Sequence, residues 1–241
     1  MLDRLSLLIG LTLLAIAVLL GSIAIGRGIR DRGQTQVVTV TGSAKEQVAS
    51  DFAIWDLSVS SQQSAAAGAA KELAGWTEKI RAFLTAQGIQ PDEVTVQPVS
   101  TQAVNATDSN GDPTQVIGYT VTRNFEVRSA RVGAVASTAE ASAKLIAAGV
   151  PLQAQPLQYV LTKLSDLRPK LLADAVRDAQ NRGRVLVEAS GAKLGKLRDV
   201  QVGVFQITSP NSTQVSDYGV YDTSTLNKDV TAVVNVTFAL R

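Results

Sequence analysis

The chain has 241 residues, with 23 Lys and Arg against 21 Asp and Glu, a formal net charge of +2, and neither Cys nor His. This length accommodates one large domain or two small ones, and so small a net charge does not indicate a nucleic-acid-binding protein. Without Cys and His, the chain cannot form a disulfide, a cysteine nucleophile, a Ser-His-Asp triad, a thiolate or imidazole zinc site, or a haem site ligated by either residue. These absences remove a large part of the catalytic repertoire and leave carboxylate-based chemistry as the remaining route; we expect a protein without a cofactor, without a metal ion and without enzymatic activity.

The N-terminal run from Leu5 to Gly26 contains no charged residue. Its 22 residues would make a helix of about 33 Å, enough to cross a hydrocarbon core of about 30 Å. We predict an uncleaved transmembrane anchor within residues 1–35; the alternative is a cleaved signal peptide, for which residues 21–24 offer an imperfect cleavage motif. The basic residues after the run favour a cytoplasmic body, whereas the short N-terminal tail favours an outward one, so the charge pattern leaves the orientation open. The predicted anchor residues are Leu5, Leu8, Ile9, Leu13, Leu14, Ile16, Leu19, Leu20 and Ile25.

Two predicted strands follow the anchor. Residues 36–48 alternate between valine and threonine until Gly42-Ser43, which indicates a bulge or a turn. Residues 51–60 alternate more completely and place Ala53, Trp55, Leu57 and Val59 on one apolar face. Ala49-Ser50 between the two strands is typical of a tight hairpin, so we expect the strands to pair with each other.

Apolar stripes predict three helices, each closed by a glycine. The first covers Ser64 to Gln87, the second starts at Val132 and ends before Gly149, and the third is capped by Ser165 or Asp166 and closed by Gly191. The remaining predicted strands are residues 94–104, 115–128, 155–162, 196–208 and 229–240.

The predicted order of elements is ββαββαβαββ, which is typical of an α+β fold. Residues 51–128 and 155–240 share the order strand, helix, strand, strand, and so form two βαββ-like units. Hairpins within these units predict mostly antiparallel sheets with the helices packed on one face. We expect residues 36–241 to form this α+β domain, behind the anchor and short basic linker of residues 1–35.

Motifs that could carry chemistry are weak. Residues 108–113, "DSNGDP", open like a calcium loop, but Pro113 replaces the required glycine and Tyr119 the required glutamate. The carboxylates of Asp51, Asp56 and residues 92–93 lack a spacing that would single out an acid–base pair. These observations favour a turn and solvated carboxylates over a metal site or a catalytic site.

The segment from Ser209 to Asn227 is long for a connection within a compact domain. It is polar and contains Tyr218 and Tyr221, which could anchor a contact. Such a segment is either flexible, a small hairpin, or an interface.

Three stretches together resemble the SIMPL-domain family. "VTVTGSAKEQVASDFAIWDLSVS" is similar to the start of a SIMPL domain, and "VVNVTFAL" to its last strand. Between them, "LLADAVRDAQNRGRVLVEASGAKLGKL" is similar to the second family signature; Gly183-Arg184 depart from the Lys-Ala or Arg-Ala of many members. Its matching residues are Ala175, Ala179, Gly191, Leu194 and Gly195.

The resemblance implies a bacterial protein of the inner membrane, with a single membrane pass and its C-terminal domain in the periplasm. It also implies a non-enzymatic protein with a structural or stress-related role in the envelope, and homo-oligomers that include rings. We therefore expect partners in the lipid bilayer and in other copies of the chain, with an unknown envelope protein as a further possibility. Assembly would use the unpaired edge of the first strand, and the candidate contacts are Val38, Val40, Tyr218 and Tyr221. The alternative function is a periplasmic binding module for a small molecule or an envelope protein.

Overall fold

The computed structural model describes residues 18, 19, 21, 22 and 36–241. Leu19 is helical and exposed, whereas the other predicted anchor residues lie outside the described residues. Among the residues described, none of the helices combines the length and apolar character needed to cross a membrane.

The described chain forms an α+β fold with two antiparallel sheets. Within the described residues, one sheet has six strands in the order β3-β5-β2-β6, with β4 also beside β5 and β7 beside β2. Its strands are β2 (Phe52–Gln63), β3 (Val94–Val96), β4 (Ser100–Thr107), β5 (Pro113–Ser129), β6 (Leu152–Ala154) and β7 (Gln158–Val160).

The other sheet has four strands in the described part of the chain, with β10 at its centre between β1 on one side and β8 and β9 on the other. The backbone N–H of Leu240 donates to the Gln36 carbonyl at 2.8 Å, and Thr39 and Thr41 contact Thr237 and Asn235, so β1 runs antiparallel to β10. The strands are β1 (Val37–Ala49), β8 (Leu194–Val202), β9 (Gln206–Thr208) and β10 (Asn227–Leu240).

The helices follow the predicted stripes with one break. The second predicted helix divides at Ser142, whose hydroxyl donates to the Ala139 carbonyl at 2.6 Å. Gly88, Gly149 and Gly191 each have a positive φ of about 80° within three residues of the end of a helical segment, as the C-terminal glycine signal predicts. The helices are α1 (Ala66–Ala86), α2 (Val132–Ala141), α3 (Ala143–Ala147) and α4 (Leu164–Glu188).

The core of the six-stranded sheet is the apolar face of β2. Its four predicted inward residues are at most 2 % exposed, and they pack in one cluster with residues of α1, α2 and β5. On α1 the buried line is Ala69, Leu73, Thr77, Ile80 and Leu84, and Trp76 and Phe83 are partly buried beside it.

The predicted hairpin between β1 and β2 is wrong, because the two strands belong to different sheets. At the junction, the Ser50 N–H donates to the Leu226 carbonyl at 2.8 Å, and the Asp51 N–H donates to the Val160 carbonyl at 3.2 Å. The Asp51 carboxylate also accepts the backbone N–H of Thr162 at 2.7 Å. These hydrogen bonds hold the junction to distant segments at the point where the chain passes from one sheet to the other, and no tight turn forms there.

Two predicted strands, residues 94–104 and 196–208, are each interrupted, by Pro98 between β3 and β4 and by a break that begins at Gly203 between β8 and β9. The predicted strand at 155–162 is reduced to β7, and Pro156 separates it from β6, which was not predicted. Proline has no backbone N–H to donate to a neighbouring strand, so a strand ends or bends where it occurs. The strand pairing also differs from that of the two predicted units, because β7 of the second unit pairs with β2 of the first. Strand β1, which precedes both units, pairs with β10 of the second.

The described chain divides into two compact units. One consists of the described residues up to Ala44 together with Leu172–Gly203 and Val233–Arg241, and the other of Lys45–Leu171 and Val204–Ala232.

Candidate interaction surfaces

Strand β1 lies at one end of the four-stranded sheet. On its exposed face, the Thr39 hydroxyl lies 2.9 Å from the Thr237 hydroxyl. In the described part of the chain, no strand pairs with the other side of β1. The Ser43 N–H of β1 donates to the Asp178 carboxylate, but the outward backbone groups before Ser43 are available to a further strand, as predicted for an edge position.

The two valines predicted as assembly contacts on β1 point towards the interior of their own chain. Val40 is 5 % exposed and Val38 is half-buried. The Cγ2 atom of Val40 comes within 3.5 Å of the Cβ position that Gly183 of α4 would have. A contact made by β1 with another molecule would thus use its backbone edge, and the role of Val38 and Val40 in assembly stays a prediction.

Gly42 allows β1 to approach the backbone of α4. A Cβ atom at this position would lie 2.2 Å from the Ala175 carbonyl oxygen and 2.5 Å from the Ala179 nitrogen. Directly after it, the backbone N–H of Ser43 donates to the Asp178 carboxylate at 2.9 Å, and this hydrogen bond holds the pKa of Asp178 below its usual range. The Gly-Ser pair therefore fastens the strand to the helix.

Tyr218 and Tyr221, the two tyrosines predicted as contacts, line one surface groove of about 370 Å³. The Arg168 guanidinium carbon lies 5.6 Å from the ring centroid of Phe205 in the same groove. Leu164 and Val204 also line the groove. Among the described residues, its lining is apolar and aromatic apart from one charged residue, Arg168.

The two tyrosines have different surroundings. The Tyr221 hydroxyl donates to the Leu161 carbonyl at 2.9 Å and accepts the Leu161 N–H at 3.0 Å. Tyr218, by contrast, is 97 % exposed. Tyr221 therefore holds the segment in place, whereas Tyr218 presents a ring to solvent, which is typical of a contact residue.

The same segment is anchored by a buried ion pair. The ammonium of Lys228, which is 0 % exposed, lies 2.6 Å from the Asp222 carboxylate. The hydroxyls of Ser224 and Thr225 donate to the same carboxylate at 2.6 and 2.7 Å. Burial disfavours the charged form of Asp222, but these hydrogen bonds outweigh it and hold the pKa of that carboxyl well below its usual range.

A second ion pair lies at the next residue of β10. The Asp229 carboxylate is bonded to the Lys45 ammonium at 2.6 Å and accepts the Asn211 backbone N–H at 3.1 Å. The bond from Lys45 is the largest contribution that lowers the pKa of Asp229. Neighbouring residues of β10 thus fix the start and the end of the 209–227 segment, which forms neither a hairpin nor a helix.

Asp108 and Glu93, two of the carboxylates considered for calcium binding or catalysis, have structural partners. Asp108 accepts the backbone N–H groups of Asn110 and Asp112 at 2.9 and 3.0 Å, which closes the loop between β4 and β5. Glu93 accepts bonds from Ser129 and Arg131, and chiefly because of Arg131 its pKa is lowered to about 2. Within the described residues, no three Asp or Glu side chains are grouped closely enough to hold a metal ion.

Comparison with known proteins identifies the family. The profile named SIMPL, described as a protein of unknown function (DUF541), matches residues 38–238. The chain belongs to the SIMPL family. The match covers nearly all of the chain after the predicted anchor, so the resemblance stated from the sequence is confirmed. A comparison with curated proteins gives no match.

The signature residues of the SIMPL domain have packing roles in this chain. Ala175 and Ala179 are 0 % exposed and provide the surface that Gly42 touches. A Cβ atom on Gly195 would lie 2.6 Å from the Ala239 carbonyl, so this glycine allows β8 to approach β10. Gly183, the departure from the family pattern, faces Leu194 at 3.3 Å, where an alanine would require a small adjustment.

Two features of this surface were not predicted from the sequence, an ion pair and a groove. Lys228 and Asp222 were not recognised as a pair, although a lysine that alternates in phase with Val230, Ala232 and Val234 is a detectable sign of a buried charge. The joining of Tyr218 and Arg168 in one groove could not be recognised, because the two residues lie on separate elements and share no periodic pattern.

Proposed function

We propose that this SIMPL protein is a non-enzymatic structural module that is anchored in the bacterial inner membrane, faces the periplasm and assembles with copies of itself. The apolar run of residues 5–26 supports the anchor, and the absence of Cys and His supports a role without catalysis. The periplasmic location and the structural or stress-related role in the envelope rest on the family resemblance.

The observation that carries the proposal is the open edge of β1. Val37 to Gly42, the part of β1 before the Ser43 N–H that donates to Asp178, contains no charged side chain. Edge strands that stay unpaired are usually short, or carry charges or a proline that discourage a second strand. An uncharged stretch of this length is suited to accept a strand from a neighbouring copy, which satisfies the backbone groups of both.

A lysine on this edge tests the proposal. We expect Thr41→Lys to lower the mass of the detergent-solubilised protein in light scattering, because a charge on the edge disfavours strand addition. The matched control is Thr95→Lys, on the three-residue edge strand β3, which should leave the mass unchanged. Equal masses for wild type and Thr41→Lys, with both proteins folded by circular dichroism, would contradict a role of β1.

The groove around Tyr218 favours a second function, that of a binding module. An exposed ring, an apolar floor and Arg168 would suit a ligand that combines an apolar body with a negative charge. The dye anilinonaphthalene sulfonate has this chemistry and should bind the wild type, with binding lost in Tyr218→Ala and weakened in Arg168→Gln. Unchanged dye binding in both variants would argue against a ligand site here.

A further inference from the structure

Strands β4 and β5 extend beyond the rest of their sheet on the side of the loop that joins them. Residues Ser100–Ala103 of β4 pair with Tyr119–Thr122 of β5, and this part of β5 also pairs with β2. Beyond it only β4 and β5 remain paired, and we use the term "arm" for this two-stranded part, residues 104–118. In β5 every residue from Pro113 to Ile117 is exposed, including Val116 and Ile117 at 51 and 52 %. An isolated two-stranded hairpin is marginally stable in water, so the arm depends on the three-stranded part of the sheet from which it extends.

The remaining edges of the described sheets are short or charged. Strands β3, β6, β7 and β9 have three residues each. Strand β8 carries Lys196, Arg198 and Asp199. The part of β5 before Tyr119 does not pair with β2, but this free edge is short and begins with Pro113, which has no N–H to donate. These are the features by which sheet edges avoid pairing with other molecules.

Strand β4 lacks this protection along its inner half. None of the eight residues Ser100–Thr107 is charged, and β4 pairs only with β5 in the described chain. Register shifts begin after Val104, so the regular part of the strand is Ser100 to Val104. Five regular residues are the usual length of a paired strand.

We propose that Ser100–Val104 of one copy adds as a strand to the open edge of β1, at Val37–Gly42, in a second copy. This inference rests on the proposed self-assembly and names the second surface that it requires. Pairing β1 with β4 satisfies both open edges in every copy, whereas pairing β4 with β4 would stop at two copies and leave β1 unused. A head-to-tail contact of this kind is repeated from copy to copy and closes into a ring or continues as a filament.

The predicted anchor argues against pairing β1 with β1. A symmetric antiparallel pair would place the two N-terminal ends of β1 at opposite ends of the ribbon, and the anchors with them. Two anchors in one bilayer require these ends on the same side. A contact between β1 and β4 has no such conflict, because only one of its strands follows an anchor.

The absence of cysteine makes disulfide cross-linking a direct test. One cysteine is placed on β1, at Thr39 or Thr41, and one on β4, at Thr101 or Gln102, so that both faces of β4 are sampled. Residues on paired strands have Cβ atoms about 4.5–5.5 Å apart, close to the separation that a disulfide needs. After mild oxidation of the assembled full-length protein, we expect at least one double variant to give dimers and larger multimers on a denaturing gel without reductant.

Single-cysteine variants are the matched controls and should remain monomeric on the same gel. Dimers formed by a single β4 variant would show pairing of β4 with β4, and would overturn the inference. A wild type that is monomeric in light scattering would overturn the proposed function together with this inference. An oligomeric wild type whose four double variants all fail to cross-link would overturn this inference alone.

A charge on β4 gives an independent measurement. Thr101→Lys should lower the mass to that of the monomer, as is expected of Thr41→Lys, while Gln201→Lys on the already charged edge of β8 should not change it. An unchanged mass for Thr101→Lys, or a fall with Gln201→Lys, would place the contact elsewhere.

Discussion

Gly42 is the residue at which the polypeptide of β1 comes closest to α4. Because a Cβ atom there would overlap the Ala175 carbonyl and the Ala179 nitrogen, neither of which can move without moving the helix, Gly42→Ala should cost at least about 1–3 kcal/mol of unfolding free energy. The control is Gly75→Ala, on an exposed position of α1 with no atom within 4 Å, which should stabilise by about 0.5–1 kcal/mol. Chemical denaturation of both variants measures the difference, and equal stabilities would contradict the close approach.

Lys228 and Asp222 contribute unequally to stability. Asp222→Ala leaves a fully buried ammonium without its partner and should cost about 3–5 kcal/mol. Lys228→Met should cost less, about 1–3 kcal/mol, because Ser224 and Thr225 still donate to the carboxylate. In the double variant, stability should recover relative to Asp222→Ala, since no unpaired charge remains. A double variant less stable than either single variant in chemical denaturation would contradict this assignment.

Glu93 gives a pH-dependent contribution whose sign follows from its lowered pKa. The folded protein holds this carboxyl ionised beside Arg131 down to about pH 2, whereas the unfolded chain protonates it near 4.5. The stabilisation is therefore complete above about pH 4.5 and is lost as the pH falls towards 2. Arg131 is 45 % exposed, so solvent screening reduces the effect to about 1–2 kcal/mol.

Thermal unfolding of Glu93→Gln measures this contribution. We expect the variant to melt below the wild type at neutral pH and the gap in Tm to close as the pH approaches 2. A gap that stays constant over this range would show that the carboxylate charge is not responsible.

At the scale of elements, alternation and apolar stripes identified strands and helices but not their partners. The alternation of β2 correctly gave its buried face, because burial on one side of a sheet acts on each residue locally. The hairpin at Ala49-Ser50 was wrong because the partner of β1 is β10, nearly 200 residues away, and nothing in the local pattern records that pairing. Pro98, which interrupts the predicted strand at 94–104, was in contrast visible in the sequence and could have indicated two strands there.

For the candidate contact residues too, the sequence predicted local properties but not those that depend on strand pairing. Tyr218 was identifiable as an exposed aromatic residue in a long polar segment, since both properties are local. Val40 was predicted as a contact and is buried, because a residue that alternates inward on an edge strand packs on its own sheet while the strand's backbone remains open. The uncharged edge of β4 became recognisable only once the pairing of every strand was known.

At the scale of the whole molecule, the open edges belong to a chain whose N-terminal segment is predicted to enter a membrane. Anchoring would confine copies to one plane and raise their effective concentration, so that a weak contact between strand edges suffices for assembly. The two edges proposed to meet differ from each other, which favours many copies over a symmetric pair.

The most direct test of this account is the mass of the detergent-solubilised full-length protein, measured by light scattering at micromolar concentration. The account predicts an assembly of several copies with one defined mass. A clean monomer under these conditions would contradict it.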